Sequence, residues 1–308
     1  MDSSDNFIHE ALFYDQDEAF LDICAPFVRE GLAAGEAVLV ATDARKIGLL
    51  RGALGASAAE VAFLDMRIAG RNPARIIPIW QSFLDSGGGP VRGIGEPVWG
   101  DRSDHELVEC HHHEMLLNSA FDQPRPFSLL CPYDERELDA DVLARVFASH
   151  SAVLAGGQTH CCDGYARSLA DHCPFDGRLS DPPPGAVEVE FDVRDLATIR
   201  HLLTDHGERA GLCDTQIDDL RLAGHEVATN SVMHGGGCGT LRVWVEDDEV
   251  VCEIRDRGCF HDPLVGRVEP PDTMLSGRGL WLANCVMDLV QIRSSAFGSA
   301  VRMRLRAV

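Results

Sequence analysis

Three consecutive prolines, Pro182 to Pro184, are the feature that most limits how this chain can fold. Proline lacks a backbone N–H and fixes φ, so neither a helix nor an interior strand can run through the triplet. The stretch 171–186, DHCPFDGRLSDPPPGA, therefore reads as a semi-rigid extended connector. With 308 residues the chain is long enough for a domain on either side. We expect a domain over 1–170, the connector over 171–186, and a second domain over 187–308.

The pattern of elements changes across this seam. Before it, short apolar runs alternate with helical periods. HEALFY (9–14), AVLVAT (37–42), VAFLDM (61–66), VRGIGEPVW and FSLLCPY read as strands. Residues 17–35, the stretch after Asp43, Pro73 to Phe83, 104–118 and 139–149 read as helices. Such alternation predicts an α/β domain with a mostly parallel sheet covered by helices on both faces. After the seam the order is strand (VEVEFDV), helices 195–211 and 215–234, then two strands around the acidic turn Asp247-Asp248. A loop of about twenty residues, a helix over 279–287 and a final hairpin follow. This order predicts an α+β domain, a mixed sheet with helices on one face.

Charge and composition exclude several functions. The formal net charge is −22, and Lys46 is the only lysine. Such a surface repels phosphate backbones, which argues against direct DNA binding and favours a basic protein partner. No apolar run is long enough to span a bilayer. The first twenty residues lack the basic start and apolar stretch of a secretory signal. Eleven cysteines, an odd and irregularly spaced set, do not read as a disulfide framework. The expectation is a reduced, cytoplasmic protein.

Three short motifs give the second domain its chemistry. In the first, spacing of four sets Glu226, Asn230 and His234 on one helix stripe, drifting about 40° per step. Ile217, Leu220, Gly224 and Val227 form the adjacent, core-facing side. A carboxylate and an amide bordering that side suit a hydrated Mg²⁺ and a phosphate, although taken alone they describe equally an exposed helix flank. The second motif is Asp256-Arg257-Gly258 at a strand end, where a carboxylate can accept a hydrogen bond from the amine of adenine; taken alone it is also an ordinary turn. The third is Ser276-Gly277-Arg278-Gly279-Leu280 before an apolar helix, where glycines allow close approach of phosphate oxygens to backbone N–H groups.

The order of these motifs resembles the GHKL ATPases, and within them the RsbW-type anti-sigma-factor serine kinases, over about 120 residues. GRGLWLANCVMDLV and the Glu226, Asn230, His234 spacing match that group. The resemblance implies a Bergerat-type ATP-binding fold in which Asn230 ligates Mg²⁺ and Asp256 reads adenine. It implies that Gly258, Gly277, Arg278, Gly279 and Leu280 line the nucleotide and its lid. The family's late glycine–threonine pair is here Gly298-Ser299, which keeps the hydroxyl. By the same likeness Glu226 is the general base toward a serine hydroxyl on an anti-anti-sigma (STAS-type) antagonist, with a sigma factor as second partner. Such kinases pair as dimers, so a homodimer is implied. An intact ATP site also serves a non-catalytic module that sequesters a sigma factor, and no residue separates the two readings.

The first domain resembles the MEDS sensory domain of methanogen and methylotroph regulators. The match runs through HEALFY, FVREGLAAGEAVLVAT, ELVECHHHEMLLN and LLCPYDERELDADVLARVFASH. The resemblance implies a RecA-like fold that senses a small-molecule or protein signal. No G-x-x-x-x-G-K-[ST] occurs, and the sole lysine is not in a phosphate loop, so no ATPase activity is expected in this half. Cys110 and His113, one helical turn apart, are candidate transition-metal ligands, with His160, Cys161 and Cys162 as further donors. The alternatives are a polar helix face carrying surface histidines, and a polar helix end or loop. Tyr133 and Asp134 follow a strand and either face a cleft or, for Asp134, cap a helix.

Overall fold

The structure, a computed structural model, describes residues 7–121, 125–162, 165, 175, 177–271 and 277–307. The chain divides into two units, Met1–His172 and Cys173–Val308.

In the first unit, β1 (Phe7–Tyr14), α1 (Asp17–Ala33), β2 (Ala37–Thr42), α2 (Ala44–Leu54), β3 (Ala62–Asp65) and α3 (Met66–Ala69) come first. Then follow α4 (Ile76–Asp85), β4 (Val91–Gly95), α5 (Asp104–Ala120), β5 (Phe127–Asp134), α6 (Ala140–Ser149), β6 (Ala152–Ala155) and β7 (Gln158–Cys161). The seven strands lie in the order β3-β2-β4-β5-β1-β6-β7. All neighbours are parallel except β6 and β7. The alternation of strand and helix produced this expected, mostly parallel sheet, because each helix carries the chain back to the end where the next strand begins.

Side-chain alternation along β1 assigns its two faces. Leu12 and Tyr14 pack with Phe20, Cys24 and Val28 of α1 and Leu50 of α2. His9 points the other way and bonds Asn118 of α5. Local signals start the helices as read: Asp43 accepts from the Lys46 N–H to cap α2, and Ser103 forms a capping box with Glu106 on α5.

The hairpin β6–β7 was not anticipated. Its two-residue loop is Gly156-Gly157, both at positive φ (56° and 76°), as a tight hairpin turn requires. The glycine pair was the readable signal, but AVLA and QTHC are each four residues long and the second is fully exposed. His160 and Cys161 therefore stand on an exposed strand at the sheet edge, not on a helix end or loop.

The second unit contains β8 (Val187–Asp192), α7 (Leu196–Arg209), α8 (Asp214–His234), β9 (Cys238–Glu246) and β10 (Glu249–Asp256). It closes with α9 (Gly279–Val286), β11 (Leu289–Ser295) and β12 (Gly298–Arg306). The strand order is β11-β12-β10-β9-β8, and every pairing is antiparallel. The expected mixed sheet is thus corrected. Two helices, not one, separate β8 from β9; the second reversal returns β9 antiparallel, where a single crossover helix gives a parallel neighbour. Asp247 and Asp248, at φ 49° and 62°, make the tight turn between β9 and β10.

One face of this sheet packs on all three helices. Ile199 and Leu203 of α7, Leu220 and Val227 of α8 and Leu280 and Ala283 of α9 meet Leu241, Val243, Val250, Ile254, Val301 and Met303. Each fully buried Leu, Val or Ile contributes about 1.5–3 kcal/mol. The opposite face is mostly polar, with Trp244 and Val251 buried among its charged side chains. There Glu253, fully buried, pairs with Arg302 at 2.5 Å, and Arg302 also donates to the Ser180 carbonyl at 2.6 Å. The segment leading to Pro182 is thereby anchored to the back of the sheet.

Candidate nucleotide site

Helix α8 positions the first motif. Ile217, Leu220, Gly224 and Val227 are all buried, as the periodicity predicts. Glu226 and Asn230 are half-buried on the flank, and His234 is exposed in the last turn. The third motif meets this flank through Gly279, the first residue of α9. A Cβ at Gly279 would lie 2.9 Å from Glu226 Oε2 and 3.1 Å from Asn230 Nδ2. Only glycine lets the start of α9 approach the two polar side chains so closely. The N-terminus of α9, with its unsatisfied N–H groups, therefore opens beside a carboxylate and an amide.

The second motif reaches the same helix from the sheet. Asp256 ends β10, and its partner in register on β12 is Ser299. Ser299 Oγ donates to Asp256 Oδ1 at 2.7 Å, and the Gly258 N–H donates to the same oxygen at 2.8 Å. Ser231 Oγ on α8 donates to Oδ2 at 2.6 Å. The Arg257 N–H donates to the Gly235 carbonyl at the end of α8 (3.1 Å). A Cβ on Gly235 would overlap the Asp256 carboxylate, so this glycine lets strand end and helix end meet. Ser231 and Gly235 were missed from sequence. Their signal was adjacency to Asn230 and His234, which has no meaning until β10 is known to end against α8.

The remaining residues of the set divide. Gly277 is exposed, with φ 91°, and Arg278 is the exposed N-cap residue of α9, its guanidinium 3.5 Å from the Pro271 carbonyl. Leu280 is buried in the core, so its side chain anchors α9 and only its backbone belongs to the helix N-terminus. Ser276 lies outside the described residues.

Two of the buried polar groups in the first unit bear on its chemistry. In one, Lys46, nearly buried, pairs with Glu96 (2.5 Å) and Asp43 (3.2 Å). Tyr14 and Thr42 also donate to Glu96. Burial works against the Lys46 ammonium, but the charge and hydrogen bond of Glu96, with those of Asp43, hold its pKa above the ordinary lysine value. A cavity of about 330 Å³ lies near the C-terminal ends of β1 and β6, lined among others by Phe13, Tyr14, Ile23, Leu154 and Thr159.

In the other, His9, Glu114, Cys131 and His150, all buried, bring one donor atom each within 4.8 Å of one another. Among the described residues this is the one convergent group of three or more histidine, cysteine and carboxylate donors, and neither Cys110 nor His113 belongs to it. Cys110 and His113 do stand a turn apart on α5 and both are buried. The Cys110 thiol, however, donates to the Pro97 carbonyl at 3.3 Å, and burial pushes its pKa up to about 12. The face is not a solvated one either, since His112, His113 and Glu114 are all buried. Exposed His160 and Cys161 do not join the group. Tyr133 is buried at the C-terminal end of β5. Asp134 caps no helix; its carboxylate takes the Arg136 N–H and guanidinium, while α6 has Asp139 at its N-cap.

Comparison with known proteins agrees with this division. Residues 8–151 match the MEDS (methanogen/methylotroph, DcmR sensory) domain model, and residues 189–305 match the histidine kinase-like ATPase domain model. An anti-sigma F factor of Clostridium acetobutylicum is 32% identical over 88 residues, covering 26% of this chain and 62% of the relative. An anti-sigma F factor of Clostridium beijerinckii is 29% identical over 89 residues, with the same coverage of 26% and 62%. The chain thus spans 62% of the length of each of these relatives. Among solved structures, the RsbU and RsbW domains of Rv1364c from Mycobacterium tuberculosis align at 20% identity and a TM-score of 0.31, over 40% of this chain and 33% of that one. Among the described residues no helix is long and apolar enough to cross a membrane. The chain joins a MEDS sensory domain to a histidine kinase-like ATPase domain.

Proposed function

We propose that the second domain binds ATP with Mg²⁺ and acts as an anti-sigma factor and serine kinase, phosphorylating an anti-anti-sigma antagonist of STAS type under control of the first domain. The observation that carries this reading is the convergence of three motifs. Ser231, next to Asn230, bonds Asp256, while Gly279 packs on Glu226 and Asn230. The two clostridial anti-sigma F factors support the choice of partners, a sigma factor and its antagonist.

The donor set fits the nucleotide. Asp256 takes the exocyclic amine of adenine, and the first turn of α9 with Gly277 and Arg278 receives phosphate oxygens. Asn230 offers its amide oxygen to Mg²⁺, which when bound neutralises charge on the phosphates. Glu226 is a half-exposed carboxylate beside this helix terminus, able to accept the proton of an incoming serine hydroxyl as its oxygen attacks the terminal phosphorus. Transfer then leaves a phosphoserine on the partner and ADP on the protein. The strongly acidic surface suits a basic protein partner.

For the first domain we infer a sensor of RecA-like descent without nucleotide chemistry. Lys46 is committed to Glu96 and Asp43, not available to a phosphate. The cavity at the ends of β1 and β6 is of a size for a small signal molecule.

Incubation of the full chain with labelled ATP and candidate antagonists tests the kinase reading. Glu226→Ala is expected to abolish transfer while retaining ATP binding. Unchanged transfer in that variant overturns the base assignment, and ATP binding without transfer to any antagonist leaves the domain a sequestering module.

A further inference from the structure

We propose that His9, Glu114, Cys131 and His150 form a binding site for one divalent metal ion of the zinc class. The four residues come from β1, α5, β5 and the end of α6, and their relative exposures are 0%, 2%, 1% and 0%. Each contributes one donor atom to a space no more than 4.8 Å across. Glu114 Oε2 lies 3.0 Å from His9 Nε2 and 3.5 Å from His150 Nε2, and His9 Nε2 lies 3.3 Å from Cys131 Sγ.

The hydrogen bonds on the far side of each imidazole determine what faces the centre. Asn118 donates its amide nitrogen to the Ser149 carbonyl (2.9 Å), which fixes its oxygen toward His9. That oxygen accepts from His9 Nδ1 at 3.0 Å. His150 Nδ1 lies 2.9 Å from the Val146 carbonyl and donates to it. Both outer nitrogens therefore carry hydrogen, so each imidazole in its neutral form presents its Nε2 lone pair to the Glu114 carboxylate. Two imidazole lone pairs and a carboxylate, all buried, repel one another unless a positive centre sits among them. An outer N–H held by a carbonyl or amide oxygen is also the arrangement that orients metal-binding histidines.

The donor types select the ion. Two nitrogens, one carboxylate oxygen and one sulfur suit tetrahedral Zn²⁺ or its neighbours, and the sulfur disfavours Mg²⁺ and Ca²⁺. The charges also close. A carboxylate and a thiolate supply two negative charges, which a divalent ion cancels in the interior. Binding forms bonds from the metal to two nitrogens, one oxygen and one sulfur, and the Cys131 thiol proton leaves to solvent. The bound ion would tie α5 and the end of α6 to the centre of the sheet.

The test is titration of the metal-stripped full-length protein with Co²⁺, then competition by Zn²⁺. The expected result is one Co²⁺ per chain, a thiolate-to-cobalt charge-transfer band, the visible bands of a tetrahedral site, and proton release in weak buffer. Cys131→Ser should remove the charge-transfer band, while Cys110→Ser keeps it. Asn118→Ala, which removes the acceptor for His9 Nδ1 and the bond to the Ser149 carbonyl beside His150 but no ligand, should keep the band but weaken binding about 10–100-fold; it reports on the site even if Cys131→Ser folds poorly. A chain that takes up no cobalt, its donors satisfied by protons alone, overturns the proposal. So does a band that survives Cys131→Ser in folded protein, or one lost in Cys110→Ser.

Discussion

On the proposed assignment of Asp256 to adenine, replacing it by asparagine isolates one hydrogen bond to the nucleotide. A carboxylate offers about four acceptor positions. Here Oδ1 takes Ser299 and Gly258, and Oδ2 takes Ser231, which leaves one position on Oδ2. In Asp256→Asn the orientation that keeps Ser299 and Gly258 on oxygen turns Oδ2 into an NH₂ group. The Ser231 hydroxyl adapts, because it can accept from that group and give its own hydrogen to the Val227 carbonyl, already 3.3 Å away. Adenine's amine does not adapt, since it then meets a donor. A hydrogen bond to a charged group is worth about 1.5–3 kcal/mol. At about 1.4 kcal/mol per decade, ATP affinity should fall about 10–150-fold. Calorimetric titration with MgATP measures this, and circular dichroism checks that the fold is intact. A folded Asp256→Asn protein that binds ATP within about twofold of the parent would refute the assignment of Asp256 to adenine.

Further outcomes follow from other contacts. Gly279→Ala puts a Cβ 2.9 Å from Glu226 Oε2 and should lower the phosphotransfer rate about 100-fold by displacing that carboxylate, with thermal stability little changed; single-turnover assays read it. Lys46→Met strands Glu96 without its cation in the interior, a change that costs about 3–5 kcal/mol. In a unit of 172 residues that corresponds to a drop in Tm of about 6–20 °C for the first domain, seen by scanning calorimetry; an unchanged transition would mean the ion pair is not buried as described. The Lys46 pKa is raised by folding, so its stabilising contribution should be complete below the ordinary lysine pKa of about 10.4 and lost as pH rises through the folded value, a dependence absent from Lys46→Met. Asp248→Gly, at φ 62°, should stabilise the second domain by about 0.5–1 kcal/mol, read by denaturant titration.

Much of this protein was legible along the chain, because helices, strands and turns are set by neighbours a few residues apart. The period of α8, with Ile217, Leu220, Gly224 and Val227 inward and Glu226 and Asn230 on the flank, is a local pattern that survived folding unchanged. So is the acidic turn at Asp247-Asp248, and so is the order of the nucleotide motifs. What stayed hidden depends on which elements meet. The all-antiparallel sense of the second sheet follows from two chain reversals between β8 and β9, and no residue in either strand encodes it. The bond from Ser231 to Asp256 exists because β10 ends against α8, 25 residues apart in sequence. In the first domain the histidine-rich stretch drew attention to Cys110 and His113, whereas the fold gathers Glu114 with His9, Cys131 and His150. Successive helix residues point about 100° apart, so a shift of one position decides which side chain faces the sheet. That choice belongs to packing between elements, and tertiary structure alone makes it.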